Sequence, residues 1–237
     1  MNSPVIYRKI PATDPKLLEE AAQYGVSDLG EALGAVGGRI ALMSPRMRAI
    51  DKDLQMIGVA VTAYNAPGDN LMMHVALQMA QQGQVLVVAS GGCAQGALWG
   101  DLAGTVAQGK GLAGIVVDGG VRDVDALRRM RFPVFSTAIS PAHTEKRGPG
   151  AVNVPMVCDG VLVHPGDIIA ADGDGVIVIP RADFGQAVEG ARARSIKENA
   201  FREKLRAGGS LFELTGLEKV LAATGIPAKD MTWEEDR

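Results

Sequence analysis

Asp101 follows Trp99-Gly100, and Arg122-Asp123 follows Gly119-Gly120, just past the apolar run Gly114-Ile115-Val116-Val117-Asp118. Each charged group therefore falls at the end of a compact element. Charge withdrawn from water is costly unless it is paired or binds something. Two carboxylates and a guanidinium in such places point to a site for an anionic ligand, a divalent cation, or both. In the functional reading, Asp123 holds a hard cation and Arg122 holds a carboxylate or enolate oxygen. Mg2+ commonly takes one or two protein carboxylates and keeps several waters, so a single direct aspartate suffices and Asp101 is left to orient a water. The structural reading of the same residues makes Asp123 a helix N-cap and Arg122 a surface side chain. Local sequence leaves both readings open.

Other motifs carry less. Gly104-x4-Gly109-Lys110-Gly111 imitates a phosphate loop, but its hydroxyl position is Gly111 and its lysine precedes a strand instead of opening a helix. It reads as a helix C-cap and turn. Gly91-Gly92-x3-Gly96 lies between a strand and a helix, so its amides could face an anion. His74, His143 and His164 have no metal-binding spacing, and His74 reads as a packed helix residue. Cys93 belongs to no nucleophile motif and reads as a small buried residue. No lysine lies inside an apolar strand, where desolvation would lower its pKa, which disfavours an imine mechanism.

The elements that must position these groups follow from periodicity. Residues 13–36 predict two helices, the first capped by Thr13 or Asp14 with Pro15 in its first turn, the second capped by Ser27 and stopped by Gly37-Gly38. Residues 39–53 read as loop and 55–64 as a strand. Leu71, Met72, Val75, Ala76 and Met79 predict a helix over 70–81. Residues 84–90 are a two-sided buried strand, 97–108 a helix and 113–118 a strand. Val124, Leu127 and Met130 mark another helix, and 133–136 another strand. Beyond about residue 150, short strands are expected at 152–157, 160–163, 167–171 and 176–180, with Asp172-Gly173-Asp174-Gly175 as a hairpin turn. A long charged helix over 181–207, a terminal helix over 211–222 and a polar tail from Trp233 complete the chain. Alternating helices and strands indicate an α/β fold, here one domain with two packed sheets flanked by helices.

Composition excludes several classes. The 237 residues are 47% hydrophobic and 22% charged, with a formal net charge of −3. No basic stripe marks a nucleic-acid surface. Arg192, Arg194, Lys197, Arg202, Lys204 and Arg206 are interleaved with Glu189, Glu198 and Glu203, as on a solvated helix face. No apolar run approaches the roughly 20 residues of a membrane span. Two cysteines form no disulfide framework, and no signal-peptide core precedes the chain's first elements. A cytoplasmic protein is expected.

The ordered motifs resemble a known family. Gly68-Asp69-Asn70-Leu71-Met72-Met73-His74, Trp99-Gly100-Asp101-Leu102-Ala103, Gly119-Gly120-Val121-Arg122-Asp123-Val124, Val152-Asn153-Val154-Pro155 and the run Pro165–Val176 look like the 4-hydroxy-4-methyl-2-oxoglutarate / 4-carboxy-4-hydroxy-2-oxoadipate aldolases. These are class II, metal-dependent pyruvate aldolases, related to the regulator of ribonuclease E activity A. The resemblance spans about residues 5–225. It implies a single-domain α-β-β-α sandwich of the swivelling-domain type with a C-terminal helical extension over about 181–237, assembled as a homotrimer or homohexamer. It implies that Asp123 ligates Mg2+ or Mn2+, that Arg122 contacts the pyruvyl oxygens, and that Asp101 positions a metal-bound water. Gly100 and the amides of Leu102 and Ala103 would bind the pyruvyl carboxylate. A glutamate from a neighbouring subunit reaches the metal water in the family; Glu198 is placed there, with Glu203 as the alternative. The segments Ser140–Gly150 and Cys93–Leu98 depart from the family pattern and are assigned to the non-pyruvyl half of the substrate.

The implied reaction is retro-aldol cleavage of a 4-hydroxy-2-oxo diacid to pyruvate and a second 2-oxo acid. The metal acts as Lewis acid, Arg122 stabilises the developing enolate, and the water oriented by Asp101 takes the C4-hydroxyl proton. The same electron sink would decarboxylate oxaloacetate. The alternatives are a non-catalytic binding protein like the ribonuclease regulator, and a lyase of the same fold acting on another acid. The partner expected is a small 2-oxo acid, with no nucleic acid and no membrane.

Overall fold

The computed structural model describes residues 4–35 and 41–236. The protein forms two compact units, Met1–Arg192 and Ala193–Arg237. The first is a mixed α/β fold. Its elements are β1 (Val5–Ile6), α1 (Pro15–Ala21), α2 (Val26–Ala35), β2 (Arg48–Ala49), β3 (Met56–Asn65), α3 (Leu71–Met79), β4 (Gln84–Ala89), β5 (Ala97–Trp99), α4 (Asp101–Gly109), β6 (Gly114–Val121), α5 (Val124–Met130), β7 (Val134–Ile139), β8 (Gly150–Val152), β9 (Met156–Cys158), β10 (Val161–Val163), β11 (Ile168–Asp172) and β12 (Gly175–Ile179). Helix α6 (Phe184–Arg206) begins in this unit, and α7 (Leu211–Leu214) and α8 (Leu217–Thr224) belong to the second. Among the described residues no helix is long and apolar enough to cross a membrane.

The parallel strands β3-β4-β6-β7 form the centre of a ten-stranded sheet. Their Val/Ile/Ala runs are buried on both faces, as parallel strands require. Strand β5 adds to the end of β6 in parallel, while β11 and β8 pair antiparallel with the two halves of β3. Alternate residues of the central strands feed two cores. Val61, Leu86, Val88, Ile115 and Val117 pack under α3, α4 and α5 with Met73, Ala107 and Leu127. Ala60, Val85, Val87 and Val116 face Cys158, Val163, Ile169 and Val178. A third core joins β11 and β12 to α1, α2 and the start of α6 through Leu29, Leu33, Ile177, Phe184 and Val188.

Several local expectations are corrected. Residues 97–99 are not helical; they form β5, leaving α4 to start at Asp101. The strand expected over 113–118 runs on to Val121. Strand 152–157 is interrupted, because Asn153 takes a left-handed backbone (φ 56) between β8 and β9. The cap of α2 is not Ser27 but the distant Asp172, whose Oδ2 accepts from the Val26 amide at 2.9 Å. Asp14 caps α1, as expected, accepting from Lys16. The stop at Gly37-Gly38 lies outside the described residues. Residues 211–222 are two helices, broken where Gly216 turns left-handed (φ 73). Residues 39–53 contain the short β2, which pairs with β7.

The segment Ser140–Gly150 is fixed along the carboxyl ends of the parallel strands. The amide of Ala97 donates to Ala142 O, that of Asn70 to Glu145 O, and that of Glu145 to Gly68 O. Asp69 is its main anchor. Asp69 is buried, and its carboxylate accepts from Leu71 N (2.8 Å), Arg147 N (2.6 Å) and Gly148 N (2.7 Å). Burial alone would raise this carboxyl's pKa; the three amides, helped by Lys146, outweigh it and hold Asp69 below the ordinary carboxylate range. A lowered native pKa contributes stability above the unfolded value and loses it as pH falls through the native one. Replacing Asp69 with Asn is therefore expected to cost about 2 kcal/mol at neutral pH. The difference from wild type should shrink below about pH 4. Urea unfolding at pH 7 and at pH 3 measures both.

Candidate functional site

Open parallel sheets bind ligands outside the carboxyl ends of their strands, and the charged groups singled out by the sequence meet there. Two irregularities set the geometry. Leu98 is an extra residue in β5 opposite β6, and Asp118-Gly119 carry an extra residue against β7. Bulges bend a strand and re-aim its side chains. Between them β6 ends at Val121, with Arg122 N donating to Trp99 O at 3.0 Å on one side and Ser140 N donating to Val121 O at 2.9 Å on the other.

Asp123 then occupies the N-cap position of α5, but not as a cap. Its backbone is left-handed (φ 59, ψ 35) and its side chain makes no capping bond. A non-glycine residue in that region stores strain, a feature concentrated at functional sites. The turn swings the carboxylate across to the start of α4. Asp123 Oδ2 lies 3.3 Å from Asp101 N and 3.4 Å from Arg122 Nε. A Cβ at Gly100 would sit 2.6 Å from that oxygen and 3.3 Å from Arg122 Cγ. Only glycine leaves room for this approach. Gly100, Asp101, Arg122 and Asp123 are thus one cluster, and it is reachable: the Arg122 and Asp123 side chains are 45% and 37% exposed.

The first turn of α4 closes the other side. Its amides and dipole favour an anion. Asp101 Oδ1 accepts from Leu102 N at 2.7 Å, so the residue's own carboxylate fills one of these donors. Ala103 follows in the same turn, partly buried, while Leu102 is 78% exposed. Glu198 and Glu203 both lie on α6 in the second unit. The Glu198 carboxylate is held by Arg194 (2.7 Å) and Arg202 (2.8 Å), and Glu203 is exposed.

Among the described residues no group of three or more His, Cys, Asp or Glu gathers to hold a metal ion. The donor set at Asp123 and Asp101 is one or two hard carboxylate oxygens. That suits Mg2+ or Mn2+ completed by water, and does not suit a cation that needs a nitrogen or sulfur cage.

Other sequence candidates acquire structural roles. Lys110 Nζ donates to Leu77 O and Gln78 O, both at 2.8 Å, and so caps the end of α3. The phosphate-loop imitation is thereby explained as a C-terminal cap. His74 lies on α3 but is exposed there, not packed as the sequence suggested; partial desolvation and then Lys146 pull its imidazole below the ordinary range. The sequence reading missed the ion cluster Arg46–Asp118–Asp159 on the other side of the sheet. Its visible signal was Asp118, a lone charge ending an apolar run.

A model of the RraA-like family, described as Aldolase/RraA, matches residues 26–178. The chain belongs to this family. A relative from Halalkalibacterium halodurans, named "Putative 4-hydroxy-4-methyl-2-oxoglutarate aldolase", is 36% identical over 177 residues, covering 69% of this chain and 84% of that protein. A crystal structure of an uncharacterized protein from Pseudomonas syringae pv. tomato matches with TM-score 0.77 and 27% identity, over 86% of this chain and 99% of that one. Streptomyces coelicolor RraAS2, titled an unusual member of the RNase ES inhibitor RraA protein family, matches with TM-score 0.74 and 29% identity, over 82% and 99%.

The strain at Asp123 has a measurable consequence. The Asp123 side chain makes no capping bond to α5, so Asp123→Gly removes the left-handed penalty and gives up only the long bond from Asp101 N (3.3 Å) and the long contact with Arg122 Nε (3.4 Å). The variant should gain about 0.5–1 kcal/mol in stability, read from its denaturant midpoint, while deleting the carboxylate from the site.

Proposed function

We propose that this protein is a divalent-metal-dependent lyase that cleaves a 4-hydroxy-2-oxo diacid, 4-carboxy-4-hydroxy-2-oxoadipate or 4-hydroxy-4-methyl-2-oxoglutarate, to pyruvate and a second 2-oxo acid. The observation that carries this reading is the strained Asp123, whose carboxylate is folded against Gly100 beside Arg122 at the start of α4. The aldolase name of the Halalkalibacterium relative supports the reaction class.

Asp123 would hold Mg2+ or Mn2+, with Glu198 or Glu203 of a neighbouring subunit reaching its water shell. The bound cation supplies Lewis-acid polarisation of the substrate's 2-oxo group. Arg122 presents fixed positive charge where the enolate oxygen develops, so it favours the transition state over the ground state. The amides of Leu102 and Ala103, with Gly100 allowing close approach, receive the pyruvyl carboxylate. Since Asp101 Oδ1 occupies the Leu102 amide, substrate binding requires Asp101 to turn away. That motion frees its carboxylate to orient the water that takes the C4-hydroxyl proton. The C3–C4 bond then breaks, its electron pair passes into the pyruvate enolate, and C3 is reprotonated. Loss of CO2 from oxaloacetate leaves the same enolate, so decarboxylation is a second activity of the site.

The fold reading that goes with this function is a single-domain α-β-β-α sandwich with a helical extension. The helix-covered cores on either side of two strand layers support it. A homotrimer or homohexamer is supported by the exposed Leu102 and Val106, one turn apart on α4, an apolar stripe beside the site. A cytoplasmic location is supported by the free cysteines Cys93 and Cys158. The second reading, a binding protein without catalysis, is favoured by the likeness to RraAS2.

Pyruvate release from the two diacids and from oxaloacetate, assayed with Mg2+ and Mn2+, separates the readings. Arg122→Ala and Asp123→Ala should each lower both activities by about 1,000-fold or more in folded protein. Undiminished cleavage in excess chelator contradicts the metal-dependent mechanism. No turnover of any of the three acids by wild type favours the binding protein.

A further inference from the structure

Neighbouring residues of β6 face opposite sides of the sheet. Val117 packs under the helices near the Arg122 end, while Asp118 points to the side of β9 and β10. On that second side lies a cleft of about 790 Å3, whose lining includes Arg46, Tyr64, Asp118, Val154, Met156 and Leu162. It shares no residue with the Gly100–Asp123 cluster, and its size is that of a small-molecule pocket.

The charges in it do not balance. Asp159 is fully served: Oδ1 takes Arg46 Nε at 2.7 Å and Oδ2 takes Ser44 N at 2.7 Å, and the side chain is 1% exposed. Burial of Asp118 is nearly as complete, with 7% of its side chain exposed. Its Oδ2 takes the Asp159 amide at 3.0 Å, but among the described residues Oδ1 has only long contacts, Thr137 Oγ1 at 3.4 Å and the second nitrogen of Arg46 at 3.5 Å. Such distances contribute little. Two carboxylates against one guanidinium leave a net negative charge, centred on the Asp118 oxygen with the weakest partners. A desolvated carboxylate of this kind gains from a charged donor. A bare dication is disfavoured, because among the described residues no group of three carboxylate, imidazole or thiol ligands gathers there. The apolar wall accommodates a hydrocarbon body.

We infer that this cleft binds a small organic ammonium compound, its nitrogen donating to Asp118 Oδ1 and its apolar body lying against Val154, Met156 and Leu162. The proposal does not depend on the aldolase reading.

The probe is 2-phenylethylammonium, whose ring suits the Met156 thioether, titrated into the 237-residue protein and followed by NMR. Saturable shifts are expected at the Met156 methyl and at the Gly91 and Gly92 amides. Affinity should fall about tenfold or more in Asp118→Asn, and equally for the uncharged 2-phenylethanol. Leu162→Lys leaves every bond of Asp118 in place and puts a competing ammonium on the lining of the cleft; it should weaken binding about tenfold or more in folded protein, and decides the matter if Asp118→Asn does not fold. Absence of saturable shifts in wild type up to about 10 mM overturns the proposal. So does equal affinity for the amine and the alcohol, or unchanged binding in Leu162→Lys.

Discussion

The contact between the Asp123 carboxylate and the backbone at Gly100 constrains everything around it. It needs a left-handed aspartate, a residue without a side chain on the facing strand end, and two strands cut to the right length by bulges. Each of these is a local cost. Left-handed backbone disfavours any β-carbon, glycine gives up conformational entropy, and a bulge forfeits ladder hydrogen bonds. The surrounding core carries those costs because β3, β4 and β6 are buried on both faces and hold the strand ends in register. The candidate site lies where the rigid sheet stops.

Much of this was readable from residue order. The apolar runs at 84–90 and 113–118, the helical spacing of Leu71 through Met79, and the Asp172–Gly175 turn are short-range signals, and the corresponding elements formed. Asp101, Arg122 and Asp123, which the sequence places at the ends of elements, converge in the structure. What sequence order could not supply was backbone handedness and long-range partnership. Asp123 satisfies every local criterion for an N-cap, and only its left-handed φ diverts the carboxylate to α4. Residues 97–99 look like the start of a helix because Ala, Leu and Trp suit either state. Pairing with β6 across a bulge, which no local window contains, makes them a strand. Asp172, capping α2 from 146 residues away, escapes a local reading for the same reason.

The two faces of β6 show how one strand serves separate demands. Val117 and Val121 give their side chains to the core under α4 and α5, fixing the place from which Arg122 emerges. Asp118, between them, is turned into an ion cluster that joins two buried carboxylates, its own and that of Asp159, to the half-exposed Arg46. A buried carboxylate seldom adds net stability over a well-packed apolar residue. An incompletely matched one lining a cleft is better understood through what it can bind. The segment Ser140–Gly150, held by Asp69, runs along the same strand ends and ties the loops around both regions to the start of α3.

In the proposed function, strain at Asp123 is retained because its carboxylate would hold a divalent cation. Titration of Mn2+ into the purified protein, followed by the loss of the free-ion paramagnetic resonance signal, measures this without a substrate. The account predicts saturable binding near one ion per chain, weakened about tenfold or more in Asp123→Asn, an isostere that keeps the left-handed turn. Equal Mn2+ binding by the wild type and Asp123→Asn would contradict it.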